Sequence, residues 1–173
     1  MRAKVVRGAW RDQRYLSVMA PCPDCGAPIA DDASCRSLFD ELLAHEYAFP
    51  AAFGAVHHLT VAAYYLQHPR GFSRAAILGW RAIIAESLDG SATPAEFLRR
   101  ARARSEAKVR IRERDAEPPD GWPRTWPMTV ADAVVPPGDE PNAEGHVRRV
   151  TQWAKAVRET LDTLALPADA QLE

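Results

Sequence analysis

All three cysteines of the chain lie within fourteen residues, as Cys22-Pro-Asp-Cys25-Gly followed by Cys35, and the remaining four-fifths of the sequence contains none. Two thiols separated by two residues can bind one metal ion, because the turn between them directs both sulfur atoms inward. Pro23 and Gly26 favour such a turn. The sequence therefore predicts a zinc site made of these three cysteines and one further ligand.

The fourth ligand has to come from another element, and a histidine pair follows at positions 57 and 58. If this segment is helical, His57 lies beside the core-facing stripe, whereas His58 points away from the core and is expected to be solvated. His57 is therefore the predicted fourth ligand, although the spacing alone does not decide between Cys35, His57 and Glu46 for completing the site. His68 shares the His57 face but lies eleven residues further on, about 16 Å along a helix, so one metal ion cannot bind both.

Two further polar groups fall where packing alone would place apolar side chains. Glu46 shares a helix face with Cys35, Phe39 and Leu42, and an unpaired carboxylate there would cost several kcal/mol. It either escapes to water or pairs with an arginine, or it serves as a metal ligand or general base. His68 either caps the end of its helix as a cation or lines a pocket together with two neighbours, Tyr64 and Gln67.

The rest of the sequence predicts one domain, residues 1–173, that is almost entirely helical. Residues 21–35 form the predicted zinc knuckle, 34–114 hold four helices, 115–142 form a loop rich in proline and tryptophan, and 143–166 form the last helix. The four helices are expected over 34–48, 51–67, 73–89 and 93–114, while residues 1–20 are ambiguous. The predicted fold class is all-α, a compact bundle of about five helices with an N-terminal zinc knuckle.

Composition restricts the class of protein. An apolar fraction of 47% and a net charge of −1 are ordinary for a soluble globular domain and argue against polyanion binding by the chain as a whole. No apolar run approaches the ~20 residues of a membrane span, and none follows the basic N-terminus as in a secretory signal. An odd number of cysteines fits the reducing cytoplasm, so we expect a cytoplasmic protein without a membrane partner.

Two surface features indicate possible partners. The predicted helix 93–114 is rich in arginine, but Glu96, Glu106 and Glu113 oppose these charges and no aromatic residues are interleaved for base stacking. A solvated face with salt bridges is therefore favoured over a nucleic-acid site. Trp122 and Trp126 lie in the loop and are expected to fold over the bundle rather than to form a binding surface.

At this point the sequence resembles an uncharacterised bacterial family, a domain of unknown function, over nearly its whole length. Residues 56–69, VHHLTVAAYYLQHP, are similar to the family pattern V-H-x-L-T-V-D-A-Y-x-x-Q-H-P, and Ala62 departs from it where the family often has aspartate. The knuckle cysteines, the stretch Glu46-Tyr47-x-x-Pro50, residues 129–132 (TVAD) and Arg148-Arg149…Trp153 also match. The resemblance implies a small, mostly helical, metal-binding protein and supplies no activity.

Two functions are consistent with these residues. The first is a zinc-dependent enzyme, of hydrolase or lyase type, acting on a small molecule: a three-ligand zinc keeps one position open for water, and a carboxylate takes its proton. Its predicted groups are the base Glu46, the substrate donors Tyr64 and His68, and Gln67 in the binding pocket. The alternative is a structural zinc closed by Cys22, Cys25, Cys35 and His57, in a module that binds a protein or nucleic-acid partner through the arginine-rich helix. A metal-free redox pair, Cys22 with Cys25, ranks last, because the strand that leads into such a motif is missing.

Overall fold

The computed structural model of the chain describes residues 20–29, 33–106, 111–113, 116–135, 139–140 and 142–164. Within these residues the backbone forms helices and no strand; only isolated bridges pair Pro21 with Pro28 and Phe72 with Arg112. The helices are α1 (Cys35–Ala48), α2 (Pro50–Phe53), a 3-10 turn (Gly54–Val56), α3 (His57–Gln67), α4 (Arg74–Leu88), α5 (Pro94–Glu106), α6 (Val130–Ala133) and α7 (Ala143–Asp162). The predicted all-α class is confirmed, with five helices of eleven residues or more.

Local sequence signals start these helices. The Ser34 hydroxyl accepts from the backbone N–H of Ser37 at 3.0 Å and starts α1. Ser73 caps α4 in the same way, through the N–H of Ala76. At α5 the Glu96 carboxylate accepts from the backbone N–H of Thr93 at 2.7 Å, which is one half of a capping box.

Three helix boundaries differ from the prediction. The expected helix 51–67 is broken, because Pro50 starts the short α2 and Gly54, a poor helix former, lies in the 3-10 turn before α3. The expected helix 93–114 ends earlier, because residues 111–113 run alongside the start of α4 and the Ile111 carbonyl accepts from the N–H of Ser73 at 2.9 Å. The last helix ends at Asp162. Residues 1–19 and 165–173, including the end of the predicted last helix, lie outside the described part of the chain.

Helices α1 and α3 pack side by side and run antiparallel, because only the short α2 and the 3-10 turn join them. The start of α1 therefore lies beside the end of α3, and the end of α1 lies beside the start of α3. Helices α4 and α7 cover the other sides of α3. The buried face of α7 is formed by residues spaced three and four apart: Val150, Trp153, Ala154, Val157 and Leu161.

The loop between α5 and α6 is held against the C-terminal end of α3 by buried hydrogen bonds. The Trp122 indole N–H donates to the Leu66 carbonyl at 2.8 Å. The Gln67 amide N–H donates to the Met128 carbonyl at 2.7 Å, and the Gln67 amide oxygen accepts from the Trp153 indole at 3.1 Å. Trp122 and Trp126 are both buried, so they cover the bundle, as expected.

Candidate metal centre

The knuckle turn brings Cys22 and Cys25 together at the surface of the bundle. The backbone N–H of Gly26 donates to the Cys22 carbonyl at 2.8 Å, and that of Cys22 donates to Ala27 at 2.9 Å. Gly26 has a φ of +73°, and a Cβ atom there would lie 3.0 Å from the Arg124 carbonyl oxygen. The backbone conformation and the close approach of the loop both favour glycine at this position.

Four ligand atoms meet where the knuckle contacts the start of α1 and the end of α3. They belong to Cys22, Cys25, Cys35 and His68, and all lie within 4.8 Å of one another. The sulfur atoms of Cys25 and Cys35 are 3.5 Å apart, and the sulfur of Cys22 lies 3.7 Å from Nε2 of His68. We refer to these four residues as the sulfur cluster.

The backbone and the neighbouring rings orient His68. Its Nδ1 lies 2.9 Å from the Tyr64 carbonyl, so Nδ1 carries the proton and Nε2 offers a lone pair toward the cysteines. The ring also stacks on Tyr64, which in turn stacks on Phe39 with ring centroids 3.9 Å apart. Because Pro69 follows, α3 ends at this point and His68 faces the knuckle.

The environment of the sulfur cluster favours one thiolate, that of Cys25. Cys35 is the first residue of α1, where the positive end of the helix dipole stabilises negative charge. The hydrogen bond with Cys35 lowers the pKa of Cys25 to about 4; burial opposes this effect and His68 adds to it. The same hydrogen bond, together with burial, raises the pKa of Cys35. The first negative charge therefore resides on Cys25. All three cysteines are free of disulfides.

The histidine in the sulfur cluster is His68, whereas the sequence favoured His57. His57 lies at the opposite end of α3, where its Nδ1 is 2.7 Å from the Glu46 carboxylate. The two histidines are separated by three helical turns, as predicted, and the antiparallel packing of α1 and α3 decides which of them faces the cysteines. That signal was present in the sequence, because a short connection makes neighbouring helices antiparallel and so places the end of α3 beside Cys35.

The other predicted site residues fall into three environments. Glu46 is buried, and both of its oxygen atoms accept hydrogen bonds; among the described residues it pairs with no arginine. Tyr64 is buried between Phe39 and His68, and burial raises the pKa of its hydroxyl well above the ordinary range. Gln67 is fully buried and holds the loop and α7, so its amide does not line a pocket.

Sequence reasoning missed His146 and misplaced His58. His146 is buried on α7, one turn before Val150, and its Nε2 donates to Glu46 at 3.1 Å. Its position on the apolar stripe of α7 was the available signal. His58, expected in solvent, is half-buried against α4 and α5, where it bonds the Ser87 hydroxyl at 2.8 Å and stacks on Phe97.

A protein-family model covers this architecture. The sequence model of a family of unknown function, DUF5946, matches residues 20–162. The chain belongs to this family. The DUF5946 match begins just before Cys22 and ends with α7, so it includes the sulfur cluster, and the resemblance seen in the sequence is confirmed. No curated protein and no solved structure matches the chain. No helix in the described ranges is long and apolar enough to cross a membrane.

Proposed function

We propose that the sulfur cluster binds one zinc ion and that this ion is structural, fastening the N-terminal knuckle to the α1–α3 helix pair. The observation that carries the proposal is the position of four ligand atoms, three sulfurs and one imidazole nitrogen, within 4.8 Å of one another. They come from segments up to 46 residues apart in sequence, so an ion held among them would close a long loop.

Two of the separations among the ligand atoms match those of a tetrahedral zinc ion. Zn–S bonds of about 2.3 Å and Zn–N bonds of about 2.0–2.1 Å put neighbouring ligand atoms of a tetrahedron about 3.5–3.8 Å apart. The Cys25–Cys35 sulfur separation of 3.5 Å and the Cys22–His68 separation of 3.7 Å fall at this spacing. Three thiolates and one imidazole are soft ligands of the kind that select zinc over magnesium or calcium.

Two features favour a structural role over a catalytic one. Four protein ligands fill a tetrahedral shell and leave no position for a water molecule or a substrate. Glu46, the carboxylate considered as base for a zinc-bound water, is eleven residues beyond Cys35 on α1, which is about 16 Å along the helix axis. It is too distant to take a proton from a ligand of that metal.

Metal analysis of matched histidine variants tests the proposal. Protein purified without added metal is expected to contain one zinc per chain. His68→Ala removes a ligand and is expected to lose zinc, whereas His57→Ala at the other end of the same helix is expected to retain it. Cobalt substitution of the wild-type protein checks the geometry, because a tetrahedral thiolate site gives intense visible absorption.

Three outcomes would overturn the proposal: wild-type protein without metal, equal zinc content in the two variants, or loss of zinc from His57→Ala alone. Where His68→Ala is insoluble, His68→Cys keeps four ligands and is expected to retain zinc and fold. Failure of His68→Cys to bind any metal would also contradict the assignment.

A further inference from the structure

A second buried polar cluster lies at the opposite end of the α1–α3 pair. Its centre is the Glu46 carboxylate, whose side chain is 1% exposed. One carboxylate oxygen accepts from the Thr60 hydroxyl at 2.5 Å and from Nε2 of His146 at 3.1 Å, and the other lies 2.7 Å from Nδ1 of His57. We refer to these four residues as the carboxylate cluster.

Glu46 is ionised in this setting. Burial by itself raises the pKa of a carboxyl group, but the hydrogen bonds from His146, His57 and Thr60 outweigh burial, and the pKa of Glu46 lies below its ordinary value. An ionised carboxylate has acceptors only, so each histidine nitrogen that faces it must carry a proton. Nδ1–H of His57 therefore donates to Glu46, and in the neutral ring Nε2 is left as an unprotonated acceptor.

The free nitrogen of His57 lies on the accessible side of the carboxylate cluster. The His57 side chain is 35% exposed, and since its Nδ1 edge faces a buried carboxylate, the exposed part of the ring is the opposite edge, which carries Nε2. Within the part of the chain that the structure describes, no protein group bonds this nitrogen. His146, by contrast, is fully enclosed, so only one of the two histidines is able to meet a ligand.

Aromatic rings lie beside both histidines of the carboxylate cluster. The Tyr47 ring lies 5.2 Å from the His57 ring, and Phe53 lies 5.3 Å from His146 and 6.1 Å from Phe49. Tyr47 is 69% exposed, and Phe49 is 59% exposed. The exposed Tyr47 ring beside the accessible edge of His57 suits an uncharged molecule with an apolar or aromatic group.

The carboxylate cluster has the arrangement of a base, because Glu46 lies between the two histidines and binds both of them. Among the described residues, the sulfur cluster is the only group of at least three cysteine, histidine or acidic side chains whose ligand atoms converge closely enough for one metal ion. A buried carboxylate that holds Nδ1–H of an accessible histidine fixes the tautomer and stabilises the imidazolium that forms when Nε2 takes a proton.

We propose that His57 is the catalytic base of a hydrolytic site for small uncharged esters with an aromatic or apolar group, and that Glu46 is its positioning residue. The His57 Nε2 atom takes a proton from a water molecule, and the electron pair of the broken O–H bond stays on the water oxygen. That oxygen bonds to the ester carbonyl carbon, the bond from this carbon to the alcohol oxygen breaks, and the imidazolium returns its proton to the departing alcohol. The products are the acid and the alcohol, and His57 is regenerated.

The test uses the zinc-loaded full chain and 4-nitrophenyl acetate, whose hydrolysis is followed by the colour of nitrophenolate. His57→Gln is expected to lower the second-order rate constant at least about tenfold, the lower part of what general-base catalysis supplies. His58→Gln is the matched control, the next residue on the same helix, and it is expected to keep the wild-type rate. Tyr47→Ala is expected to raise KM with little change in kcat, because it removes the exposed ring beside His57 and leaves the base.

The role of Glu46 has its own readout. Glu46→Gln removes the charge that stabilises the imidazolium, so the rate is expected to fall and the profile of rate against pH to move to lower pH. A merely structural role would lower the amount of folded protein without moving the profile. If Glu46→Gln does not fold, Thr60→Val tests the same point, since it withdraws one donor from the carboxylate and leaves the His57 contact in place. The carboxylate then holds the His57 imidazolium more strongly, so the profile is expected to move to higher pH, whereas a merely structural role would leave it unmoved.

Zinc content separates this proposal from the structural-zinc proposal. His57→Gln is expected to keep one zinc per chain while losing activity. A wild-type rate no higher than that of free imidazole at equal concentration, or equal rates in His57→Gln and His58→Gln, would overturn the hydrolytic site without affecting the zinc assignment.

Discussion

The two ends of the α1–α3 pair hold polar clusters built on different principles. At the knuckle, three sulfur atoms and one nitrogen converge on a common centre, and no acidic side chain takes part. At the other end, a carboxylate already occupies the centre and its donors surround it. The first arrangement directs four ligand atoms at one point, as a metal cation requires. In the second arrangement the central charge is the carboxylate of Glu46, and side-chain donors bind it. The comparison indicates that ligand atoms converging on a point without a protein group at the centre mark a metal site. A buried charge whose hydrogen bonds are already made by the protein does not.

Removing the metal is expected to have the largest effect. Because a structural ion binds only the folded chain, chelation should cost at least about 4 kcal/mol of the free energy of unfolding, the value for an ion at a thousand times its dissociation constant. Thermal melting with and without a strong chelator measures this. His57→Ala should show the same dependence on chelator as the wild type, and a melting temperature indifferent to chelator in the wild type would contradict the comparison.

Breaking the carboxylate cluster is expected to come next. Glu46→Ala leaves two histidine N–H groups and the Thr60 hydroxyl without their acceptor, and loss of one partner of a buried charged group costs about 3–5 kcal/mol. Denaturant unfolding in the presence of zinc measures the loss. Zinc content should stay at one per chain, since the sulfur cluster is three helical turns away. Loss of zinc together with stability would show that Glu46 takes part in holding the ion.

His58 and Glu46 are expected to lose their contributions to the free energy of unfolding in different ranges of acid pH. Burial lowers the pKa of His58 to about 4 from 6.5. Between these two pH values the unfolded chain binds a proton at His58 and the folded chain does not. The contribution of neutral His58 to the free energy of unfolding is therefore complete above pH 6.5 and is lost as pH falls toward 4, by about 3 kcal/mol in all. Glu46, whose pKa is lowered from 4.5, contributes stability that is present above that value and is lost only at lower pH.

Unfolding of wild type and His58→Gln between pH 7 and pH 3 checks these two pH ranges. His58→Gln should flatten the slope between pH 6.5 and 4 and keep the steeper fall below it. An unchanged slope in the variant would remove His58 as the source of the upper range.

The smallest effect is expected from the loop that covers the end of α3. Trp122→Phe keeps most of the buried ring but leaves the Leu66 carbonyl without its donor, which costs about 1–3 kcal/mol. The change should fall near the lower limit, because the Leu66 carbonyl lies in the last turn of α3. Hydrogen exchange is the sensitive measurement, and the amides of α3 and of the loop are expected to lose protection. Loss of protection only at amides far from residues 57–67 would contradict a stabilising role for the Trp122–Leu66 hydrogen bond.

Helical periodicity was enough to predict which residues share a face of one helix, whereas contacts between helices also required the relative directions of the helices. Helical periodicity correctly placed Phe39, Leu42 and Glu46 with Cys35 on one buried face of α1. The cysteine spacing indicated a metal site near the start of that helix. The choice of His68 over His57 required the relative direction of α1 and α3, and the part played by His146 required a contact across 100 residues of sequence. Neither follows from the periodicity of a single helix, although the buried stripe of α7 already included His146.

The equal spacing on the two helices has one more consequence. Cys35 and Glu46 lie eleven residues apart on α1, and His57 and His68 lie eleven residues apart at the two ends of α3. The two pairs therefore have the same spacing along their helices. If α3 slid along α1 by one turn, about 5.4 Å, both histidines would leave their partners at once. The proposed ion, by fixing the register at one end, would therefore also set the alignment of His57 with Glu46 at the other end, although it touches neither residue.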